Sequence, residues 1–76
     1  MNWKAEYLAE LEVLSQYGLD SVQDGIKVHS SAGADTVAAA QRLFDKGLIN
    51  QVDGGTLTSL GIEAVEHVHA LLQILK

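Results

Sequence analysis

Apolar residues recur at helical spacing at the start of the chain, which predicts an amphipathic helix over residues 3–17. Asn2 is placed to cap its first turn, and Gly18 is placed to end it. Glu6 and Glu10 share a face that differs from the apolar stripe. The stripe consists of the large apolar residues Trp3, Tyr7, Leu8, Leu11 and Leu14.

A short second helix is predicted over residues 22–28, where Val and Ile side chains would face inward. Ser21 and Asp24 have the spacing of a capping box at its start. Residues 29–33 combine serine and glycine, so we expect a turn between this helix and the next.

A third helix is predicted over residues 34–46, and its C-terminal end carries a strong local signal. Gly47 fits the left-handed position after the helix, and Leu43 and Leu48 have the spacing of the apolar pair in a Schellman motif. The stripe expected to face the core consists of Val37, Ala40, Leu43 and Phe44.

A β-hairpin is predicted next, because Asp53, Gly54 and Gly55 are typical hairpin-turn residues. If Gly54 and Gly55 form the two-residue loop, Val52 pairs with Leu57. If Asp53 and Gly54 form it, Val52 pairs with Gly55. We expect the first register, because it buries more apolar surface.

The last predicted helix begins at Thr58 as N-cap and continues to the C-terminus. One apolar row consists of Ile62, Val65, Val68, Leu72 and Leu75, and a second consists of Leu60, Ala64, Leu71 and Ile74. One face is enough to close a small core, so two rows indicate a partner, most simply a second copy. The alternative is that the second row packs against the first helix of the same chain. The residues expected at a dimer interface are Val68, Leu71, Leu72, Ile74 and Leu75.

The size of the chain also favours association. Its 76 residues are enough for one domain with a marginal core. It contains no cysteine, so disulfides cannot reinforce the fold, and we expect oligomerisation to do so. The N-terminus lacks a signal-peptide pattern, and no apolar run approaches the roughly 18 residues of a membrane span. The sequence therefore predicts a cytoplasmic protein with no membrane segment.

The order helix, helix, turn, helix, hairpin, helix resembles that of a winged helix-turn-helix domain. Residues 42–49 look like the end of a recognition helix that enters a wing. Residues 53–61 look like a wing turn followed by the Leu-Thr-x-x-Gly start of a closing helix. The order is similar to that of MarR-like and PadR-like bacterial regulators, and the chain resembles a family of short, uncharacterised proteobacterial proteins, some with a DNA-binding label. The expected fold is mainly α with a small β-hairpin, winged-helix-like, in one domain over residues 1–76.

The resemblance implies that the third helix enters the major groove of DNA. Arg42 would contact a guanine or a phosphate, and Lys46 a phosphate. The alternative is that they form an ordinary solvated pair on the helix surface. The solvent-facing stripe of this helix is expected to be Asp35, Ala39, Arg42 and Lys46. The candidate DNA-contacting residues are Ser30, Ser31, Thr36, Gln41, Arg42 and Lys46.

Two features disfavour DNA binding. Ten acidic residues oppose five basic ones, which gives a formal charge of −5, whereas phosphate contacts need Lys and Arg. The hairpin carries no basic residue, so its tip would repel phosphate. Ser30 and Ser31 also have an alternative role, which is to cap the helix that follows.

The histidines raise the question of a metal site. Glu63 and His67 have the i,i+4 spacing that can supply two ligands, but no third ligand is evident, and His69 points in another direction. His29 is expected at the end of the second helix, near its last carbonyls. We therefore expect no metal site and no cofactor. The sequence shows no nucleophile paired with a base and no phosphate-binding loop, so we do not expect an enzyme.

Two functions remain open from the sequence. The first is a small dimeric winged-helix protein that binds DNA in the manner of a transcription regulator. The second is an acidic winged-helix module for protein interaction or dimerisation that does not bind DNA. The resemblance favours the first, and the acidic charge and base-free hairpin favour the second.

Overall fold

The computed structural model describes residues 4–19 and 24–76 of the chain. Within these residues the fold is mainly helical with a small three-stranded antiparallel sheet in the order β1-β3-β2, which confirms the coarse fold class. The elements in chain order are α1 (Ala5–Ser15), β1 (Ile26–Lys27), a 3-10 helix (Ser30–Ala32), α2 (Ala34–Asp45), β2 (Ile49–Gln51), β3 (Gly54–Leu57) and α3 (Ser59–Leu75).

The predicted second helix is wrong where the structure describes it. Ile26 and Lys27 form β1 and pair with Gly55 and Gly54 of β3, and the amide of Val28 donates to the carbonyl of Asp53 at 2.7 Å. This edge of β3 carries no side chains, so the backbone of β1 can approach it closely. Ser21, predicted as the first residue of the capping box, and Val22, predicted to face inward, lie outside the described residues.

The hairpin is present, but neither predicted register is correct. Val52 and Asp53 form the turn, and Gln51 pairs with Gly54 while Ile49 pairs with Leu57. The register shifts between these two pairs, so β3 contains one more residue than β2 and a β-bulge. The two glycines predicted as the loop therefore lie in β3.

The side chain of Asn50 stabilises this bulge. Its Oδ1 accepts from the amide of Thr56 at 2.9 Å, and its Nδ2 donates to the Thr56 hydroxyl at 2.9 Å. Gly55 adopts φ +73°, which glycine takes without steric cost. A bulge with glycine in the left-handed region thus sets the register that local turn residues alone predicted incorrectly.

The predicted end of the third helix, now α2, is confirmed. Gly47 has φ +80°, its amide donates to the Phe44 carbonyl at 3.0 Å, and the amide of Leu48 donates to the Leu43 carbonyl at 3.0 Å. These two bonds are those of the Schellman motif. They direct the chain from α2 into β2.

The start of the last helix, α3, is also confirmed. The Thr58 hydroxyl accepts from the amide of Gly61 at 3.1 Å and donates to the Gly47 carbonyl at 2.6 Å. Gly61 is buried, and a Cβ there would lie closer than 3.0 Å to the carbonyl oxygen of Leu48. The Leu-Thr-x-x-Gly segment therefore combines a helix cap with a close backbone approach.

One cluster of buried side chains forms the core and connects all three helices to the sheet. Tyr17, two residues after the end of α1, is almost completely buried, and its hydroxyl donates to the Gly55 carbonyl at 2.9 Å. Burial raises the pKa of this phenol above its usual value. The core residues are Val13, Leu14, Tyr17, Val28, Ala39, Ala40, Leu43, Ile49, Val65 and Val68.

The buried face of α1 differs from the predicted stripe. Glu10 is buried together with Val13 and Leu14, whereas Tyr7 and Leu8 are exposed. Asn2 and Trp3, predicted as the cap and first stripe residue, lie outside the described residues. The helix is therefore rotated so that a carboxylate, and not only leucine side chains, faces α2.

Candidate interaction site

The two cations of the predicted recognition helix are both held by one carboxylate of α1. Nε of Arg42 donates to Oε2 of Glu10 at 3.1 Å, and Nζ of Lys46 donates to Oε1 of the same residue. Arg42 also donates from Nη2 to the backbone carbonyl of Glu6 at 3.3 Å. Only 6% of Glu10 is exposed, whereas the Arg42 and Lys46 side chains are 28% and 48% exposed, so a buried carboxylate is held by two cations at the protein surface.

The electrostatics of the cluster favour the charged carboxylate. Burial alone raises the pKa of Glu10, but the hydrogen bonds and positive charges of Lys46 and Arg42 lower it by more. Its pKa therefore lies below the ordinary value, and the side chain is a carboxylate at neutral pH. Two cations that neutralise such a group have less free charge to offer an external phosphate.

The predicted solvent-facing stripe of α2 is correct for Asp35 and Lys46, which are exposed, and wrong at its centre. Ala39, in its middle, is fully buried, and Arg42 and Lys46 point toward α1. The predicted core residue Phe44 is instead 41% exposed. The helix is rotated relative to the prediction because its small residues Ala39 and Ala40 allow α1 to pack closely.

The other candidate DNA-contacting residues do not form a basic surface. Ser30 and Ser31 are exposed in the 3-10 helix, Thr36 is half-buried in α2, and Gln41 is exposed. The N-cap position of α2 is occupied by Gly33, with no side-chain cap bond. The alternative capping role of the two serines is therefore wrong for α2.

The second apolar surface follows α3 and is largest on the C-terminal half of the helix. Val68 contributes to the core, as its row predicted, but the residues that follow it extend beyond the core. Leu71 and Leu72 are partly exposed, and Ile74 and Leu75 are 80% and 71% exposed. The exposed large apolar side chains of α3, together with one neighbour on α1, are called the apolar face. Its members are Leu60, Leu71, Leu72, Ile74, Leu75 and Leu8.

A groove of about 330 Å³ runs between α1 and α3 beside this face. Its α1 wall consists of Leu8, Leu11, Glu12 and Ser15, and Val68, Leu71 and Leu75 contribute to its α3 wall. The alternative that the second row of α3 packs against α1 is thus realised only in part, since Leu71 lines the groove and remains half exposed. Four of the five predicted dimer residues, all except Ile74, line this groove.

The histidines occupy three separate places. Nε2 of His69 lies 2.6 Å from the carbonyl oxygen of Tyr17, so it carries the proton and donates. His67 is exposed, and His29 precedes the 3-10 helix instead of ending an α-helix, so its predicted setting is wrong. Among the described residues, no group of three His, Asp or Glu side chains is arranged to hold a metal ion.

Glu10 is the residue that sequence reasoning missed. Its spacing from Glu6 placed both on one polar face, away from the stripe that was predicted to be buried. A signal was nevertheless available, because Glu10 lies between Ala9 and Leu11 and next in helical order to Val13 and Leu14. The long-range contact with α2 decides its burial.

Comparison with known proteins identifies a family, and its description gives the function as unknown. Residues 1–76 match the model described as "Family of unknown function (DUF5669)". The chain belongs to this family. No curated protein and no solved structure matches the chain. In the part of the chain that the structure describes, no helix has the length and apolar character needed to cross a membrane.

Proposed function

We propose that this protein is a small winged-helix-like interaction module that self-associates in the cytoplasm through the exposed apolar side of α3. The apolar face carries the proposal, because its six large side chains are 37–80% exposed. A face of this kind on a small domain is typical of an interaction site. The winged-helix-like part of the proposal is supported by the order of α1, the 3-10 helix, α2, the β2-β3 hairpin and α3.

The energetics support a second copy as the partner. Burying one Leu or Ile completely contributes about 1.5–3 kcal/mol, and a two-fold interface uses each residue twice. Six partly exposed side chains per copy therefore offer a contribution of the same order as the cost of association, about 4–15 kcal/mol. A chain of 76 residues has a marginal core and gains most from such reinforcement.

The contacts of α2 give less support to the DNA-binding regulator that the resemblance implies. Arg42 and Lys46 are bound to Glu10, and the exposed side of α2 includes Gln41, Phe44 and Asp45. The hairpin turn consists of Val52 and Asp53. Neither surface has the free basic side chains on which phosphate binding depends.

Sedimentation velocity over micromolar concentrations tests the proposal with three proteins. We expect the wild type and Gln73→Glu to sediment as dimers and Ile74→Glu to sediment as a monomer. Gln73→Glu is the matched control, because it adds the same charge to the neighbouring residue, outside the apolar face. Circular dichroism of each variant checks that the helices remain.

A wild type that remains monomeric throughout this range overturns the proposal. A DNA titration tests the alternative function of DNA binding. It uses a mixed-sequence duplex at low salt, and fluorescence anisotropy measures binding. Binding that is lost in both Arg42→Ala and Lys46→Ala would replace the interaction module by a DNA-binding protein. We expect no binding that depends on these two residues.

A further inference from the structure

The exposed side of α3 contains a row with the spacing of a coiled-coil seam. Its members are separated alternately by four and three positions, which is the a/d pattern of a heptad. Leu60, Leu71 and Ile74 are 53%, 48% and 80% exposed, Ala64 is half-buried, and His67 is exposed. We call this row the seam: Leu60, Ala64, His67, Leu71 and Ile74.

We propose that two copies of α3 pack antiparallel along the seam, with the two-fold axis at His67. This inference rests on the proposed self-association and adds its orientation and register. The seam and the core use largely different sides of the helix, because Val65 is fully buried while Leu71 and Ile74 are exposed, and Ala64 is the seam residue that also packs against the core. A second α3 can therefore pack on the seam without displacing the core.

The sizes of the side chains favour the antiparallel arrangement. Leu60 and Ile74 each lie seven positions from His67, so the axis places Leu60 opposite Ile74 of the second copy. It also places Ala64, three positions before His67, near Leu71, four positions after it. Each layer then combines residues that fill the space together. A parallel pair would place Ala64 opposite Ala64 and leave a gap, which costs packing energy.

Charge favours the same orientation. Glu63 and Glu66 are the charged residues of Ser59–Leu75, so no basic side chain of α3 can neutralise them. In a parallel pair the two Glu63 side chains would lie at the same height beside the seam and repel each other. The antiparallel pair separates their positions by eight residues along the axis, about 12 Å at 1.5 Å per residue. The helix dipoles also oppose each other in this orientation.

His67 gives the seam its register. A single polar residue at a seam position fixes register and orientation at some cost in stability. Two imidazoles at the axis can hydrogen-bond to each other, one ring nitrogen donating and the other accepting. If either helix slid by one heptad, each His67 would face an apolar side chain and lose that partner. The register centred on His67 is therefore favoured.

Cysteine cross-linking tests this arrangement directly, because the native chain has no cysteine and each introduced thiol is unique. Under mild oxidation we expect His67→Cys to cross-link to itself. We also expect a mixture of Leu60→Cys and Ile74→Cys to give the mixed disulfide, and Leu60→Cys alone to give none. Gln73→Cys, on the polar side of α3, is the control that should not cross-link.

The outcomes separate this inference from the proposed function. Self-cross-linking of Leu60→Cys would show a parallel pair and overturn the inference while self-association stands. If the protein sediments as a dimer but neither the Leu60→Cys/Ile74→Cys mixed disulfide nor the His67→Cys disulfide forms, the dimer interface is not the seam and the inference is overturned. A mixture of Ala64→Cys and Leu71→Cys repeats the antiparallel test without altering His67. A monomeric wild type overturns both the inference and the proposed function.

Discussion

The Glu10 carboxylate accepts a 3.1 Å hydrogen bond from Nε of Arg42, a residue 32 positions later in the chain. Lys46, one helical turn beyond Arg42, donates to the other carboxylate oxygen. This cluster joins the middle of α1 to the end of α2. Because it uses Arg42 of α2 and Lys46 directly after that helix, it also determines how α2 can interact with other molecules.

The first prediction concerns the stability that Glu10 provides. Glu10→Gln keeps the shape of the side chain but removes the charge that Arg42 and Lys46 contact, so we expect a loss of about 1.5–3 kcal/mol. Urea denaturation followed by circular dichroism measures it. Glu12→Gln is the control, because Glu12 is exposed on the same helix and its loss should be within about 0.5 kcal/mol. Equal effects of the two changes would contradict the prediction.

The second prediction is the pH dependence of the same cluster. Burial raises the pKa of Glu10, but its contacts with Lys46 and Arg42 together lower it by more than burial raises it. The folded-state pKa therefore lies below the ordinary 4.5. The stability from this group is therefore complete above about pH 4.5 and is lost as the pH falls through the folded pKa. Urea midpoints between pH 7 and 3 should fall more steeply for the wild type than for Glu10→Gln. Parallel curves would show that other carboxylates control acid unfolding.

The third prediction concerns Gly61. Ala is favoured over Gly inside a helix by about 1 kcal/mol, so propensity alone predicts that Gly61→Ala stabilises α3. The Cβ would instead overlap the carbonyl oxygen of Leu48, and β2 or α3 would have to move. We expect a clearly lower melting temperature. Ala70→Gly, at an exposed position of α3, is the reverse control and should cost about 1 kcal/mol. An unchanged or higher melting temperature for Gly61→Ala would refute the close approach.

The fourth prediction concerns the bond between Tyr17 and the sheet. Tyr17→Phe removes the hydroxyl that donates to the Gly55 carbonyl at 2.9 Å and leaves this acceptor without that partner. We expect a loss of about 1–3 kcal/mol, measured by urea denaturation. Tyr7→Phe is the matched control, because Tyr7 is 44% exposed. The prediction fails if both substitutions have the same small effect.

The fifth prediction concerns the glycines of β3. Gly54→Val and Gly55→Val place branched side chains where φ is +130° and +73°, and their Cβ atoms would meet the Ile26 carbonyl oxygen and the Asn50 side chain. We expect each to destabilise the domain by several kcal/mol, because backbone strain and overlap add. Thermal melting checks this, with Gln51→Val in β2 as control. Retained stability in both glycine variants would show that the bulge is dispensable.

The sequence by itself determined the features that short-range bonds control. The end of α2 at Gly47 and the start of α3 at Thr58 were predicted correctly, because a Schellman motif and an N-cap depend on residues within one turn. The presence of a hairpin between them was correct for the same reason. The apolar excess of α3 was also visible in the sequence, since two rows on one helix exceed the needs of a small core.

The tertiary structure alone decided which faces are buried and which strands pair. Ile26 joined β1, and not a helix, because the side-chain-free edge formed by Gly54 and Gly55 lies about 28 residues away in the chain and supplies its backbone partners. Glu10 is buried because α2 brings Arg42 and Lys46 to it, and no local pattern encodes that approach. Periodicity gives the direction of an apolar stripe, but the rotation of a helix within a core is set by the partners that satisfy its polar groups.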